Sequence, residues 1–600
     1  MHGDRKEYGR DGPLAAALAG FRRRVRHPLK PLENMTFRAP ILVERHENQA
    51  SSGGGGDSLA GPEVMPRRDD IAPRPFAAGI AGCAAAVGAF LLLRLTAWPP
   101  HEDETLALFV GHGSLPELLD TVLGERGGAP LHFVLAWAVA HAGGGLPELR
   151  LLSALLAVTS VPVLAVLVAR LASRSVALVA AVLASASWIL LFHGVYARMY
   201  SLFLLTSALS YLALLRALQR GRRRDWALWV VAILATVATH PYGALVLVSQ
   251  GMFVLARRER MREATRAFAC VALAGIPFWY TDLVLAGRFE VGVGGGGERL
   301  GSPLSVLTHL GQVVGDFTVG WLVVLPAVLA LAAIGARRLL REGRSSLLLA
   351  AIVFAVPTVM LVLARLGDST SPESRHLIFA LPFFVMLVAG GLVELAGRLG
   401  SRGPALAGLL LTLLVVGELA WAYERTPPLF SGEEAARVEA REAASDWLAR
   451  TGRPDDVLFG YEPVYLRGWE HSSGRRSRTV VPRADAKLAL GALTEASRPL
   501  GRGVWVFDAA ENNNFSPKLT IPRRLPYPPG EFEAKTFGPY LIVRTTGPSR
   551  TPERYLDRAS QVMILGKSLS IGDADVNFVT VRRAAYRLER SDSGAPSASR

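Results

Sequence analysis

The sequence predicts a mainly α-helical polytopic membrane bundle that carries a small C-terminal α/β domain. Half of its 600 residues are hydrophobic and only 20% are charged. Apolar runs of about 18 residues or more, the length needed to cross a bilayer, recur between residues 76 and 421. Beyond residue 421 the composition becomes that of a soluble domain. A soluble enzyme of this length is therefore excluded.

Residues 1–74 are polar and rich in turn formers, with a basic run at 22–26 and a glycine tract at 53–56. Such a composition cannot bury a core, so we predict a disordered cytoplasmic tail. The first apolar run begins near Phe76 and lacks a small-residue cleavage pattern. We expect it to remain as the first spanning helix and not to be removed as a signal peptide.

The membrane domain is predicted at residues 75–423, with about 11–13 spans. After the first span, the candidates lie at about 130–143, 149–171, 175–193, 199–216, 226–239, 243–256, 268–286, 316–335, 346–365, 376–397 and 404–423. Short arginine-rich loops stay cytoplasmic, and four such loops occur, at 220–224, 257–266, 337–344 and 398–402. The segments that then face outward are the loops around residues 240, 287–316 and 367–375 and the chain after residue 421.

The upstream half does not fit this orientation. Four full crossings between residues 130 and 216 would place the arginines at 220–224 outside. Therefore either one of the predicted spans between residues 130 and 216 does not cross the membrane, or the boundaries between these spans are wrong. The stretch 130–143 is shorter than the roughly 20 residues that a span needs, so it is the first candidate for a re-entrant or interfacial segment.

The soluble part is predicted as a small extracytoplasmic α/β domain at residues 424–590, followed by a disordered tail at 591–600. Strand-like runs at 457–461, 503–508, 540–545 and 576–581 alternate with helical patterns at 435–450, 486–496 and 552–565. The domain has neither a glycine-rich phosphate loop nor paired metal ligands in its sequence. This favours a scaffold or acceptor-docking role over catalysis.

Charge and cysteine content exclude two further classes of protein. The net charge is +15 and the pI is about 10.2, but arginine is gathered in short loops between apolar runs, where it orients membrane segments. Nucleic-acid binding is rejected for this reason. The two cysteines, Cys83 and Cys270, lie inside apolar runs, so the sequence offers neither a disulfide framework nor a thiolate metal site.

The candidate chemistry begins after the first span, at His101-Glu102-Asp103-Glu104. Three consecutive carboxylates repel one another beside low-dielectric surroundings, which predicts a raised pKa for at least one of them and suits general-base work. The alternative is a solvated acidic loop that ends the helix. Further polar motifs follow at 150–155, 196–200, 239–243 and 374–376.

The order of these motifs resembles the GT-C class of integral-membrane glycosyltransferases, in particular bacterial mannosyltransferase-like members related to protein O-mannosyltransferases and lipid A aminoarabinose transferases. The Asp-Glu pair of that family's first outer loop matches Asp103-Glu104. Residues 129–133 match the family's next helix start, 150–155 match its Arg-Leu…Ser-Ala-Leu segment, and 239–243 match its Thr-His…Tyr-Gly turn. The resemblance covers residues 76–420 and departs from the family at His132, where an aromatic residue is usual.

The resemblance implies a polyprenyl-phosphate sugar donor, with a hexose such as mannose, and an acceptor protein, glycan or lipid at the outer face of the plasma membrane. Asp103 and Glu104 are the predicted catalytic residues, with Asp103 as the base of an inverting displacement. Glu102 and Glu104 hold the acceptor or tune Asp103. The predicted substrate- and phosphate-binding residues are Glu102, Arg198, Tyr200, His240, Tyr242 and Arg375.

Several of these residues have a structural alternative. Arg198 would be an interfacial residue flanked by tyrosines, His240 a helix cap, and Arg375 the partner of Glu373. For Arg150 a structural role at a helix start is favoured.

No metal and no cofactor are predicted, because His101, His112 and His132 lack metal-ligand spacing. The spacing of Glu102 and Glu104 leaves a divalent cation open as an alternative. Asp282 is interpreted as a boundary residue.

A polytopic transporter or lipid flippase is the second functional hypothesis, and a membrane scaffold is the third. Transporters place ionisable groups near the bilayer midplane and show internal repeats. Here the ionisable residues collect at helix ends and no repeat is evident. The sequence therefore favours the enzyme.

Overall fold

The computed structural model describes residues 71–568 except 129, 290–302, 343–344, 367–372, 468–478, 484–485, 495, 497–498 and 509–529. The predicted strand at 576–581 and the predicted C-terminal tail lie outside the described residues. So does almost all of the predicted N-terminal tail.

Helices dominate the first part of the described chain. They are α1 Pro73–Leu93, α2 Glu102–Gly111, α3 Leu115–Asp120, α4 Pro130–His141, α5 Leu146–Leu171, α6 Arg174–Ala186, α7 Trp188–Val195, α8 Tyr200–Arg220, α9 Arg223–Thr239, α10 Gly243–Arg257, α11 Met261–Ala274, α12 Ile276–Phe289, α13 Pro303–Phe317, α14 Leu325–Arg341, α15 Ser345–Leu366, α16 Leu381–Arg398 and α17 Gly403–Arg425. A π-helical turn, Thr121–Arg126, precedes α4, and a 3-10 turn, Ser374–Ala380, leads into α16.

Five of the described helices are long and apolar enough to span a membrane: α1, α5, α8, α16 with its 3-10 turn, and α17 with the turn before it. The bent pairs α6–α7 and α11–α12, with bends of 55° and 56°, each add one more span if the pair crosses as a unit. The mainly helical multi-pass fold agrees with the sequence prediction. Helix α16 forms the centre of the bundle, because most of its residues are buried against neighbouring helices.

Close backbone contact joins α14 to α16. A Cβ atom on Gly335 would lie 1.9 Å from the Leu387 carbonyl oxygen, and one on Gly391 would lie 2.1 Å from the Leu331 carbonyl oxygen. Small residues at such positions allow membrane helices to approach until their backbones touch. Any larger side chain at either glycine would force the two helices apart.

Helix α4 corresponds to the segment that the sequence suggested does not cross. It has 12 residues, or about 18 Å at 1.5 Å per residue, against a hydrocarbon core of about 30 Å. The arginine-rich loops at 220–224 and 257–266 lie at the same end of the bundle, since Arg260 Nε donates to the Leu218 carbonyl at 2.8 Å.

The C-terminal part is an α/β unit. Its elements are α18 Pro427–Ser431, α19 Ala435–Thr451, β1 Val457–Phe459, β2 Val480–Val481, α20 Ala486–Thr494, β3 Gly503–Asp508, β4 Phe532–Phe537, β5 Tyr540–Thr545 and α21 Pro552–Ser568. The five described strands have the order β2-β1-β3-β5-β4; β1 pairs in parallel with β2 and β3, while β5 pairs antiparallel with β3 and β4. Both faces of the central strands are covered, by α21 on one side and by α19 on the other.

Candidate active site

The acidic segment begins a helix and is not a loop. His101 is the N-cap of α2, and its Nδ1 accepts a hydrogen bond from the backbone N–H of Asp103 at 3.0 Å. The Glu104 carboxylate accepts one from the backbone N–H of His101 at 3.2 Å. Acidic residues in a first helical turn are favoured by the free N–H groups and the helix dipole. The alternative of a solvated acidic loop is therefore wrong, and the sequence did not indicate this helix start because histidine is not among the usual N-cap residues.

Successive residues of a helix point about 100° apart, so the three carboxylates face three different neighbours. Glu104 is fully buried and accepts hydrogen bonds from Arg150 Nε at 2.9 Å, from Arg150 Nη2 at 2.6 Å and from the backbone N–H of Ala197 at 2.9 Å. Both oxygens of this predicted catalytic residue are therefore occupied by the protein. Glu104 acts on the site as an anchor that fixes the start of α2.

Arg150 completes this anchor. Its Nη1 donates to the carbonyl oxygens of Trp98 at 2.8 Å and Leu95 at 3.2 Å, and its side chain is 3% exposed. The guanidinium thus ties the end of the first span to the start of α2. The favoured structural role of Arg150 agrees with this geometry.

Glu102 faces the C-terminal part. Its carboxylate accepts a hydrogen bond from the backbone N–H of Tyr461 at 3.0 Å and lies 3.3 Å from Arg483 Nη1. The Thr105 hydroxyl donates to the Tyr461 carbonyl beside it. Gly460 has a φ of +79°, and a Cβ there would lie 3.0 Å from the Glu102 carboxylate, so this approach requires glycine. The chain after β1 therefore docks directly on the acidic turn.

Asp103 is the carboxylate of the three that stays most open. Its side chain is 38% exposed, and it accepts a hydrogen bond from the Tyr196 hydroxyl at 3.3 Å. Arg198 Nη1 donates to the Asp103 carbonyl at 2.8 Å and lies 3.9 Å from its carboxylate. A substrate can reach this side chain without breaking the anchor formed by Glu104.

The electrostatics of Asp103 differ from the sequence expectation. The Arg198 guanidinium lowers the pKa of Asp103 to about 2, against the opposing effect of burial, with His101, Arg375 and the Tyr196 hydroxyl adding to the lowering. Asp103 is therefore not a carboxylate whose pKa is raised. The nearby arginine outweighs the effect of burial on the pKa of Asp103, and each neighbouring glutamate is paired with an arginine of its own.

This lowered pKa predicts that Asp103 stays ionised under mildly acidic conditions. Since the folded pKa lies below the ordinary value of 3.8, ionised Asp103 stabilises the fold above that value, and this contribution is lost as the pH falls towards 2. The infrared difference spectrum between wild type and Asp103→Asn should show the ionised carboxylate band of Asp103 at about pH 3, where a carboxyl group of ordinary pKa is mostly protonated. A protonated band there would contradict the Arg198 interaction.

The predicted binding residues gather beside Asp103. The Arg375 guanidinium lies 5.5 Å from the centre of the Tyr200 ring, and the His240 ring lies 5.8 Å from that ring and 5.4 Å from Tyr242. Arg198 is itself hydrogen-bonded to Tyr200. Two cations and several rings therefore share one patch next to the carboxylate.

The structure also shows the contacts expected from the structural alternatives for His240 and Arg375. His240 Nδ1 accepts a hydrogen bond from the backbone N–H of Tyr242 at 3.1 Å, as a cap does, and burial lowers the pKa of His240 well below its usual value. The neutral ring then carries its proton on Nε2, which leaves one donor for a ligand. Arg375 Nη2 donates to Glu373 at 2.8 Å, and its Nε lies 2.7 Å from the other oxygen of the same carboxylate.

Sequence reasoning missed Asp316 and Arg425. Asp316, at the end of α13, is 1% exposed, accepts a hydrogen bond from the Ser374 hydroxyl at 2.5 Å and lies 3.4 Å from Arg425 Nε. This contact ties α13 and the turn carrying Arg375 to the end of α17. The available signal was an acidic residue at the margin of an apolar run, which was interpreted only as a loop boundary.

Within the described ranges, no group of three or more histidine, cysteine, aspartate or glutamate side chains is placed to hold a metal ion. The Glu102 and Glu104 carboxylates diverge, each toward its own arginine. The pair that was left open for a divalent cation therefore does not form a common site.

No protein-family model matches the sequence, and no curated protein is similar to it in sequence. Several solved structures are similar in fold. ArnT from Cupriavidus metallidurans is 16% identical, with 78% of this chain and 98% of ArnT covered and a TM-score of 0.49. An Archaeoglobus fulgidus oligosaccharyltransferase is 13% identical, with 71% of this chain and 67% of that chain covered and a TM-score of 0.47. The arabinofuranosyltransferase AftD from Mycobacteria is 18% identical, with 80% and 40% covered and a TM-score of 0.45.

These three proteins are GT-C glycosyltransferases, the class that the sequence motifs resemble. At identities of 13–18% the likeness concerns the course of the chain alone.

Proposed function

We propose that this chain is a GT-C-like membrane glycosyltransferase that moves a hexose such as mannose from a polyprenyl-phosphate donor to an acceptor hydroxyl, with inversion at the anomeric carbon. The observation that carries the proposal is the open Asp103 carboxylate held beside Arg198. The two groups meet the two needs of the reaction: a proton acceptor for the attacking hydroxyl and a cation for the departing phosphate.

Asp103 acts as the proton acceptor although it is a weak base. The transition state of sugar transfer resembles an oxocarbenium ion, which a nearby negative charge stabilises. As the new bond to the anomeric carbon forms, the attacking hydroxyl becomes strongly acidic, so a weak carboxylate can take its proton late in the step. A donor phosphate that shares Arg198 also weakens the interaction that lowers the pKa of Asp103.

Arg198 is the proposed first contact of the donor phosphate. Its Nη1 is bound to the Asp103 carbonyl, while its Nε has no hydrogen-bond partner among the described residues. In the proposed complex a phosphate oxygen binds the guanidinium beside its bonds to the Asp103 carbonyl and to Tyr200. Arg375 and the His240 Nε2 proton complete a set of donors around the leaving group.

The proposed orientation places this site and the C-terminal part on the outer face of the plasma membrane. Glu102 and Tyr461 are in direct contact, so both lie at the same end of the bundle. Arginine-rich loops such as 220–224 lie at the cytoplasmic ends of the helices in this orientation, as the positive-inside rule requires. The acceptor then approaches from outside the cell.

A transfer assay tests the proposal. Purified full-length protein in lipid nanodiscs is incubated with undecaprenyl-phosphate mannose or glucose and with cell-envelope acceptors, and the anomeric configuration of the product is read by NMR. We expect transfer with inversion from at least one donor. Absence of transfer from every donor, together with movement of the labelled lipid across vesicle membranes, would support a flippase instead.

Arg198→Gln should raise the donor KM by about ten- to a hundredfold, the factor that corresponds to losing one charge-assisted hydrogen bond. The matched control is Arg224→Gln, an exposed arginine in the first turn of α9, for which we expect the donor KM of wild type. Equal KM values for the two variants would show that the phosphate binds elsewhere.

A further inference from the structure

Three aromatic rings form a stack along α7. Trp188, Phe192 and Tyr196 follow one another at intervals of four residues, so the helix places them in one stripe. The Trp188 and Phe192 rings lie 5.2 Å apart with an angle of 7° between their planes. The Phe192 and Tyr196 rings also lie 5.2 Å apart, with an angle of 19°. We call these three side chains the α7 stack.

One end of the α7 stack reaches the proposed base. The Tyr196 hydroxyl donates to the Asp103 carboxylate at 3.3 Å, and Tyr196 is buried. Arg198 donates to the backbone carbonyl of Asp103 and lies farther from the carboxylate, at 3.9 Å. The Tyr196 hydroxyl is therefore placed to set the direction in which the carboxylate points.

The other end of the stack is fixed at the junction between α17 and the C-terminal part. Trp188 Nε1 donates to the Thr426 hydroxyl at 2.9 Å, and both residues are buried. The Arg425 guanidinium lies 5.2 Å from the centre of the Trp188 ring, within the usual range of a cation–π contact. Arg425 also contacts Asp316, so the junction is tied to the turn that leads into α16 as well.

The middle of the stack rests on the end of the first span. The Trp98 ring meets the Phe192 ring edge-on, with centres 5.1 Å apart and planes at 88°. The Trp98 carbonyl accepts a hydrogen bond from Arg150 Nη1 at 2.8 Å. The stack and the anchor formed by Arg150 and Glu104 therefore share Trp98.

Apolar packing alone does not account for the two ends of the stack, because phenylalanine at both ends would fill the same stripe. Each end instead carries one polar atom, the Tyr196 hydroxyl or the Trp188 Nε1, and each of these atoms is bonded to a different part of the chain. Tyrosine and tryptophan join a rigid apolar body to a polar tip. Stacked rings turn little, so a shift at the junction displaces the hydroxyl beside Asp103.

We propose that Tyr196 is a positioning residue for Asp103, and that the α7 stack holds its hydroxyl in place from the junction at Arg425 and Thr426. This inference rests on the proposed function, because the direction of the Asp103 carboxylate matters for transfer only if that carboxylate takes the proton.

Tyr196→Phe tests the contact with the base, because it keeps the ring and removes the hydroxyl. We expect the turnover number of sugar transfer to fall about tenfold, the factor for one lost hydrogen bond. The donor KM should stay unchanged, because the proposed phosphate contacts of Arg198 and Arg375 remain. Tyr423→Phe, an exposed tyrosine of α17, is the matched control. A loss of turnover that comes only with a lower melting temperature would show a structural role and overturn the inference.

A double-mutant cycle tests the coupling to the junction. Thr426→Val removes the acceptor of the Trp188 N–H and keeps the shape of the residue. We expect turnover to fall about threefold, the low end for one neutral hydrogen bond. The double variant Thr426→Val with Tyr196→Phe should fall no further than Tyr196→Phe alone, because both changes act on one contact. Losses that multiply would show that the two ends act independently and would overturn the coupling.

Infrared spectroscopy at neutral pH tests the same contact without turnover. The difference between each protein and the same protein with Asp103→Asn isolates the stretching band of the Asp103 carboxylate, whose frequency depends on its hydrogen bonds. We expect this band to shift in Tyr196→Phe, to shift in the same direction in Thr426→Val, and to stay in place in Tyr423→Phe. An unshifted band in Tyr196→Phe would overturn the inference. Shifted bands in a protein that transfers no sugar would support the contact and contradict the proposed function.

Discussion

Asp103→Asn is expected to slow sugar transfer by about 10²- to 10⁴-fold, the usual contribution of a positioned general base, while donor binding is kept. Asparagine has nearly the same shape as aspartate. The backbone bonds of Asp103 to His101 and Arg198 do not involve the substituted atoms. The loss would therefore report the missing negative charge and not a displaced helix.

The same substitution separates binding from chemistry. Removing a negative charge 3.9 Å from Arg198 leaves the guanidinium freer for the donor phosphate, so the donor Kd should stay equal or fall. Single-turnover transfer and equilibrium binding of undecaprenyl-phosphate mannose measure the two effects. Asp120→Asn, an exposed aspartate at the end of α3, is the matched control. Transfer by Asp103→Asn within twofold of that control would show that another group takes the proton.

Composition was enough to predict the helical bundle and the C-terminal α/β region, and motif order named several residues of the candidate site. The apolar runs and arginine loops placed the helices because bilayer thickness and loop charge act locally along the chain. Asp103, Arg198, His240 and Arg375 were named from their motifs, and the structure brings them to one end of the bundle. Their roles in transfer stay predictions that the proposed experiments test.

Contacts between distant parts of the chain could not be predicted in this way. Glu102 meets Tyr461 across 359 positions of sequence, and no local pattern encodes such a pairing. The different partners of the three carboxylates could not be predicted for another reason. Successive residues of a helix are rotated by about 100°, which places Glu104 against Arg150 and Asp103 on the open side. This argument applies only once the segment is known to be a helix. The helix start at His101 therefore determines which neighbour each carboxylate meets.

Glu104→Ala is expected to destabilise the protein by about 3–5 kcal/mol, the cost of breaking a buried ion pair. The substitution leaves Arg150 buried at 3% exposure without its carboxylate and removes the acceptor of the Ala197 N–H. The melting temperature, followed by size exclusion after heating, should fall clearly. Glu117→Ala removes an exposed carboxylate that caps α3 and should lower the melting temperature far less.

The double variant Glu104→Leu with Arg150→Met distinguishes stability from positioning. Replacing both charges with apolar side chains of similar volume removes the unpaired ion, so the melting temperature should recover most of its loss. Transfer should not recover, because the bonds from Arg150 to the carbonyls of Leu95 and Trp98 and the acceptor for Ala197 are gone. The start of α2 then moves relative to the donor site, and a misplacement of about 1 Å costs about 10²-fold in rate. Recovery of both stability and transfer would instead show that the pair only fills space and does not hold Asp103 in place.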